Sequence, residues 1–345
     1  MGGILVSGIL VLCAAAAACA GLIVMLRPVL ERYALARPNA RSSHQKPTAQ
    51  GGGIAVVGTT LTLSLIVFAA EPSFGRTALQ EFAPVMVAAI LLALVGMVDD
   101  IRALEAMPRL LLQFVAVATV IAALPDEARI APLLPFWLER ALLLLAGVWF
   151  VNLVNFMDGI DWMTVAEVVP ITVYLVVIGF NGGLPVYAIV VAIALCGAML
   201  GFAPFNQPVA RLFLGDVGSL PIGLLLGWLL LLLAGQGYVA AAILLPLYYL
   251  ADATITLLRR ARAGEKVWQA HRSHFYQSAI DGGFSVREIV ARVFVLNIVL
   301  ASLATATVLA PSPLMTGGAL AVGALLVAGL LWRFEKGRSG AARNA

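Results

Sequence analysis

Charge is scarce in this chain. Asp, Glu, Lys and Arg make up 12% of its 345 residues, about half the share found in an ordinary soluble domain, and that excludes a water-soluble globular fold. Cysteine is scarcer still. Cys13, Cys19 and Cys196 lie inside apolar runs, with neither the spacing of a metal site nor that of a disulfide framework. There is no GxxxxGK[ST] phosphate loop and no GxSxG elbow, and Gly51-Gly52-Gly53-Ile54-Ala55-Val56 lacks the last glycine of a dinucleotide fingerprint. No internal repeat and no low-complexity tract is visible. The basic residues are scattered over short loops without a DNA- or RNA-reading module, so nucleic acid is not an expected partner. The first apolar run lacks the basic n-region of a signal peptide and reads as a membrane span.

What the chain has in abundance is hydrophobic sequence, at 62% of residues. Apolar runs of about 17–25 residues, enough to cross the ~30 Å hydrocarbon layer as helix, recur along the whole length. We read eleven, at 4–26, 52–70, 82–98, 109–124, 137–153, 165–180, 184–201, 217–234, 238–258, 289–310 and 314–332. The expected fold is therefore all-α, a polytopic membrane helical bundle forming a single domain over 1–345. With the N-terminus outside and sides alternating, only Arg76, Arg129 and Arg140 fall outside, which leaves 19 of the 22 Lys and Arg inside. That bias predicts an N-out, C-in topology. The net charge of +4 then reports orientation first and anionic partners second, the inner leaflet and a phosphorylated substrate among them.

Against this background the acids stand out, because a carboxylate near hydrocarbon costs roughly 2.5–3.5 kcal/mol on insertion scales. They gather at the inside ends of spans. Asp99 and Asp100 close the run GMVDD. They are either a polar helix end paired with Arg102 or a metal or proton-transfer pair, and adjacent helical residues, ~100° apart, share one ion only where the helix ends. Asn155, Asp158 and Asp161 follow in NFMDGID. They form either an Asx-rich turn or, with amide and carboxylate oxygens at i, i+3 and i+6, a site for a hard cation such as magnesium. Asp216, in LFLGDVGS, either caps the eighth span, with Arg211 as its partner, or serves the same cation. His271, Arg272 and His274 form a basic loop suited to hydrogen bonding a diphosphate, and neither a cysteine nor a suitable acid accompanies them for zinc. His44 and Lys46 lie in a similar anion-friendly loop, RSSHQKPTAQ. Asp252, deeper in the ninth run, is expected to pair with Arg259 or to hydrogen-bond across the bundle, and we assign it no catalytic role.

Five ordered motifs, RSSHQKPTAQGGG, GMVDD, NFMDGID, FNQPVARLFLGDVGS and HRSHFYQ, resemble those of the polyprenyl-phosphate N-acetylhexosamine-1-phosphate transferases. The resemblance spans about residues 41–276. It is strongest toward the branch that initiates O-antigen rather than the one that makes the first lipid intermediate of peptidoglycan. It implies that undecaprenyl phosphate attacks the β-phosphorus of a UDP-N-acetylaminosugar, releasing UMP, with Mg²⁺ required and Mn²⁺ as a substitute. By the motifs, Asn155 and Asp216 would hold the metal. Asp99 and Asp100 would line the phosphate site, with Asp99 as base toward the lipid phosphate, and Asp158 would support the diphosphate cavity. Asp161 and Phe213 would meet the uracil, His271 and His274 the diphosphate-sugar, and Lys46 and Arg272 the substrate's charge. The implied setting is the bacterial inner membrane with the site facing the cytoplasm, and a homodimer is compatible with it. One departure matters. The family often reads DGxDG, whereas here Asp161 is followed by Trp162.

Rival readings fit the residues less well. A secondary transporter would carry its charges near the midplane, commonly on repeated halves. A CDP-alcohol phosphotransferase needs DG followed by xxAR, whereas Asp158-Gly159 is followed by Ile-Asp-Trp-Met.

Overall fold

The computed structural model describes residues 2–36, 47–71, 75–266 and 271–338. Each of the eleven apolar runs folds as helix. In chain order these are α1 (Gly2–Tyr33), α2 (Gly53–Ala70), α3 (Gly75–Ile101), α4 (Ala106–Ala122), α5 (Phe136–Met157), α6 (Met163–Ile178), α7 (Val186–Phe202), α8 (Asp216–Gly235), α9 (Val239–Leu244) with α10 (Leu247–Arg262), then α12 (Val286–Leu309) and α13 (Pro313–Lys336). A short α11 (Phe275–Asp281) lies between α10 and α12. Among the described residues, eight helices are long and apolar enough to cross a membrane, and α4 and α7 are shorter apolar helices. The protein is an all-α polytopic bundle.

Two expectations need correction. The ninth run is not one helix. It breaks between Leu244 and Leu247, where Pro246 has no N–H to continue a helical ladder. Helix α1 runs past residue 26 through Pro28 to Tyr33. Its C-terminal end therefore carries Arg27 and Arg32 on helix, with Arg27 paired to Glu31 at 2.6 Å.

Packing places α8 at the centre, buried along almost its whole length against α2, α3, α5 and α9, while α1 and α13 stay largely exposed at the periphery. Without a hydrophobic drive between helices in lipid, close approach depends on small residues. A Cβ on Gly53 would lie 2.1 Å from Gly218 Cα, and one on Gly96 would lie 2.2 Å from the Asp216 carbonyl oxygen. Helices α2 and α3 thus press onto the first turns of α8 through glycine.

At the same end of the bundle, three short strands, β1 (Leu35–Ala36), β2 (Thr48–Gln50) and β3 (Leu212–Phe213), form a small sheet. Strand β1 is antiparallel to β2, and β2 is parallel to β3. The sheet continues into Gly52 N donating to Phe213 O and Gly53 N to Leu214 O, so the glycine-rich entry to α2 and the entry to α8 are one backbone unit. Elsewhere, Asn297 of α12 donates to Glu167 Oε2 at 2.7 Å and to Ala166 O at 3.0 Å, joining α12 to α6 between two wholly buried side chains.

Candidate functional site

The site is built where α3, α5 and α8 end or begin. Gly215 precedes α8 with φ +77°, the left-handed region that glycine enters freely. Asp216 does not cap its own helix. The cap comes from Asp100 at the end of α3, whose carboxylate accepts from Asp216 N at 2.9 Å and Val217 N at 3.1 Å. A side chain at 215 would collide with it, because a Cβ there lies 2.5 Å from Asp100 Oδ2. Spanning 116 residues of sequence, this contact satisfies free N–H groups of a helix start with a negative charge at its positive end.

Asp99 points elsewhere, as adjacent helical positions must. Its carboxylate accepts from Leu104 N at 2.6 Å and pairs with Arg109 Nη1 at 2.7 Å. The same guanidinium nitrogen lies 3.9 Å from Asp216 Oδ2, so Arg109 stands between the two acids. The sequence had suggested Arg102 for the first and Arg211 for the second. Arg211 instead donates to Pro204 O at 3.1 Å. Asn155, in the last turn of α5, donates to Asp216 Oδ1 at 2.8 Å and Ser219 Oγ at 2.9 Å. The expected pair Asn155 and Asp216 is therefore in contact.

Beyond α5 the chain leaves the helix. Asp158 accepts from Thr164 Oγ1. Burial pushes its carboxyl up to about 8 against that hydrogen bond, and the negative charges of Asp216, Asp100 and Asp161 push the same way. Asp161 is buried and accepts from Ala210 N at 2.9 Å, holding the loop that leads to β3. Asp100, Asn155, Asp158, Asp161, Phe213 and Asp216 line one cavity of about 220 Å³. Gln50 and Asn206 join them, and neither was singled out from sequence. Gln50 donates to Asp100 O at 2.7 Å, a contact that becomes visible only once β2 is placed.

Trp162 does not line this cavity. It has φ +64°, a left-handed conformation in which glycine is unstrained and other residues are costlier, which gives a physical reason for glycine at this place in the resembling family. Its N–H donates to Asn206 Oδ1 at 2.8 Å and its indole to Ala203 O at 2.7 Å, so the side chain braces the 203–206 turn.

The basic loop stands behind the Asp158 wall. His274 is 3% exposed, and its ring stacks on His271 and Tyr276 with centroids 4.9 and 5.7 Å apart. Arg272 pairs with Asp281 at 3.2 Å. Tyr276 hydroxyl donates to Phe156 O at 3.0 Å, and a Cβ on Gly159 would strike that hydroxyl at 1.9 Å. His271, Arg272 and His274 are thus tied to the site without lining its cavity. Asp252 is not paired with Arg259, which bonds Glu335 at 2.8 Å. It accepts from Phe275 N at 3.1 Å and contacts His274 Nδ1 at 3.1 Å, the second of the two expected alternatives, with partners that a lone acid in an apolar run does not identify. Lys46 and His44 lie outside the described residues.

Among the described residues, no group of three or more His, Cys, Asp or Glu is arranged to hold a metal ion. Arg109 is a cationic group already seated between Asp99 and Asp216, and Asn155 bonds Asp216 through its amide NH2, so its oxygen reaches a shared cation once the amide turns over. One or two carboxylates with an amide oxygen form a donor set for a hard cation that takes its remaining ligands from water and phosphate. They are a poor match to zinc.

The model of the family described as glycosyl transferase family 4 matches residues 82–234. The chain is similar to the decaprenyl-phosphate N-acetylglucosaminephosphotransferase of Mycobacterium leprae, at 26% identity over 90% of this chain and 85% of the relative. It is also similar to a probable undecaprenyl-phosphate N-acetylglucosaminyl 1-phosphate transferase of Bacillus subtilis, at 24% identity over 80% and 79%. A stretch of 88 residues is 41% identical to the phospho-N-acetylmuramoyl-pentapeptide-transferase of Clostridium beijerinckii, covering 26% of this chain and 27% of the relative.

Proposed function

We propose, from the match of residues 82–234 to the glycosyl transferase family 4 model, that this chain belongs to that family and is a polyprenyl-phosphate sugar-1-phosphate transferase. It moves an N-acetylaminosugar-1-phosphate from a UDP-sugar to undecaprenyl phosphate, forming undecaprenyl-diphospho-sugar and UMP. This step initiates O-antigen or another cell-surface polysaccharide. The observation that carries the reading is the convergence of Asp100, Asn155, Asp158 and Asp216 on one polar cavity at the helix ends, beside the Asp99–Arg109 pair. The names of the relatives support the same chemistry, and the mycobacterial and Bacillus relatives, which match most of the chain, are named for N-acetylglucosamine. UDP-N-acetylglucosamine is accordingly the first donor to test.

Phosphoryl transfer needs positioning and neutralised charge more than covalent chemistry. Asp216 and Asn155 would hold Mg²⁺, with Mn²⁺ as a substitute, and the ion when bound would offset the charge of the diphosphate. Asp100 keeps the first turn of α8 fixed, so that Asp216 and its neighbours hold their geometry without reorganising. Asp99 acts as base toward the lipid phosphate, and Arg109 beside it offers a planar, permanently charged partner for phosphate oxygens. Asp161 and Phe213 border the uracil, while His271, His274 and Arg272 serve the diphosphate-sugar from behind Asp158. Purified protein with undecaprenyl phosphate, Mg²⁺ and a panel of UDP-sugars should release UMP. Chelation should stop the release and added Mg²⁺ restore it. Absence of UMP with every donor, or full activity in excess EDTA, would remove the reading or its metal respectively.

The reaction draws on a cytoplasmic nucleotide-sugar, so we place the site on the cytoplasmic face of a bacterial inner membrane, in an eleven-span, N-out, C-in bundle. With Cys13, Cys19 and Cys196 replaced, a cysteine at Glu127 should react with an impermeant maleimide in intact cells. One at Ala263 should react only after the membrane is opened. Both positions are exposed, so external labelling at 263 would invert the topology and put the site on the wrong side.

Trp162→Gly separates brace from specificity. Glycine relieves a left-handed strain of about 1–2 kcal/mol, but the change removes a partly buried indole and its hydrogen bond to Ala203. The large aromatic loss, typically ~3–5 kcal/mol for a buried ring, outweighs the relief. The variant is expected to melt earlier and to keep the same ranking of UDP-sugars. A changed ranking with an unchanged melt would put the indole in the donor site.

A further inference from the structure

Asp252 is wholly buried in α10, yet it gathers more donors than a carboxylate needs. It accepts from Tyr248 hydroxyl at 3.1 Å, Thr256 hydroxyl at 3.4 Å, Phe275 N at 3.1 Å and Tyr276 N at 3.2 Å, and it faces His274 Nδ1 at 3.1 Å. A carboxylate offers about four lone-pair positions and no proton, so these donors saturate it. Two consequences follow from the chemistry. The His274 ring must carry its hydrogen on Nδ1, because a tautomer without it would set two acceptors against each other. The backbone at 275 and 276 is also held, since its N–H groups end on the same carboxylate.

The restraint reaches the cavity through a stack of rings. His274, itself buried, lies between Tyr276 and the half-buried His271, tilted 18° and 29° from their planes. Tyr276 is bonded to Phe156 O, one residue from Asn155 and two from Asp158. His271 Nδ1 lies 2.8 Å from Ser273 Oγ. One buried carboxylate therefore sets the placement of three aromatic side chains on the loop behind the Asp158 wall.

We propose that Asp252 is a positioning residue for the transfer reaction: through His274 it locks the His271–His274–Tyr276 stack, so that His271 is presented to the diphosphate of the donor. The diphosphate part rests on the transferase reading, whereas the lock itself rests on geometry alone. The two parts have separate tests.

The chain has three histidines, so ¹⁵N-histidine spectra of the full-length protein in nanodiscs can be assigned with single His→Gln variants. His274 should be observed with its hydrogen on Nδ1, and Asp252→Asn should shift it to Nε2 or to a mixture of tautomers. An unchanged Nδ1–H signal in Asp252→Asn overturns the lock, whatever the activity. In UMP release, Asp252→Asn should lower kcat by roughly 10- to 100-fold, the range found when a group orienting a functional imidazole is removed, with a smaller change in donor KM. His274→Gln should match that loss, and the double variant should lose no more than either single one, because the two residues act as a unit. Multiplied losses in the double variant overturn the proposal. If Asp252→Asn does not fold, His274→Gln decides, and full activity in that variant overturns it. Should the wild-type protein release no UMP at all, only the transferase reading falls, and the tautomer result still decides the lock.

Discussion

Asp216→Asn should reduce UMP release by about 10²–10³-fold, the loss typical of removing one preorganised charge-stabilising group, and should at the same time raise the melting temperature of the cation-free protein. The two effects have one cause. Asp216 lies at the start of α8, its backbone N–H bonded to the Asp100 carboxylate and its side chain sharing Arg109 with Asp99. Asp99 and Asp216 share one guanidinium and Asp100 adjoins Asp216, which leaves an excess of negative charge, and like charges held together destabilise the fold that holds them. Asparagine removes one of those charges and keeps the size of the side chain. Adding Mg²⁺ should then reverse the order of stability. A ligand that binds only the folded state stabilises it by RT ln(1 + [L]/Kd), about 2.7 kcal/mol at a hundredfold excess over Kd. The wild-type protein should gain this and the variant should not. Melting curves of both proteins in EDTA and in Mg²⁺ check the prediction. Equal Mg²⁺ shifts in the two proteins would take Asp216 out of the cation site.

Gly96→Ala should lower both activity and stability, although Gly96 bears no functional group. The added Cβ would lie 2.2 Å from the Asp216 carbonyl oxygen and 2.3 Å from its carbonyl carbon. Backbone cannot rotate away as a side chain does, so α3 and α8 must separate. Overpacking of this kind costs roughly 1–3 kcal/mol. More important, the separation pulls Asp100 from the N–H groups of residues 216 and 217. Activity should fall at least about tenfold, the equivalent of ~1.4 kcal/mol in the barrier, together with a lower melt. Gly53→Ala, whose Cβ would meet Gly218 Cα at 2.1 Å, should behave alike. Gly58→Ala is the control. Nothing lies within 4 Å of a Cβ there, and alanine in a helix interior is favoured over glycine by ~0.5–1 kcal/mol, so it should melt at or above the wild type with full activity. Loss of activity in Gly58→Ala equal to that in Gly96→Ala would mean that helix glycines act here by some route other than close approach.

Such contacts explain why the bundle was readable from sequence and the site only partly so. Apolar runs and acids at their ends are local properties. Hydropathy alone therefore locates α1 to α8, α12 and α13, and the four clusters at Asp99, Asn155, Asp216 and His271 could be singled out one by one. What failed was long-range or depended on conformation. Self-capping was one of two readings open for Asp216, because N-cap logic looks at neighbours in sequence, whereas the capping group is Asp100. The partners of Asp252 could not be named from sequence because they lie 22 to 24 positions away, at the start of α11. Trp162 stood out from sequence only as a departure from DGxDG, because its positive φ is a property of the folded backbone. Strands of two or three residues, like β1 to β3, carry no period-two pattern to detect, and so Gln50 was missed with them. In the ninth run, Pro246 was the one local signal, and it was absorbed into an otherwise continuous hydrophobic stretch.

The hydrogen bonds from Asn297 to Glu167 and Ala166 have a meaning for assembly in the bilayer. Helices with uniformly greasy surfaces can slide past one another a turn at a time with little penalty, since lipid and leucine are nearly equivalent neighbours. A carboxyl facing an amide cannot slide. A shift of α12 along α6 by one turn, about 5.4 Å, would strand both groups in hydrocarbon, each facing a penalty of several kcal/mol if left without a partner. The polar contact between α12 and α6 thus works as a vernier for the C-terminal pair of helices, setting depth and rotation where apolar packing alone would accept several neighbouring positions.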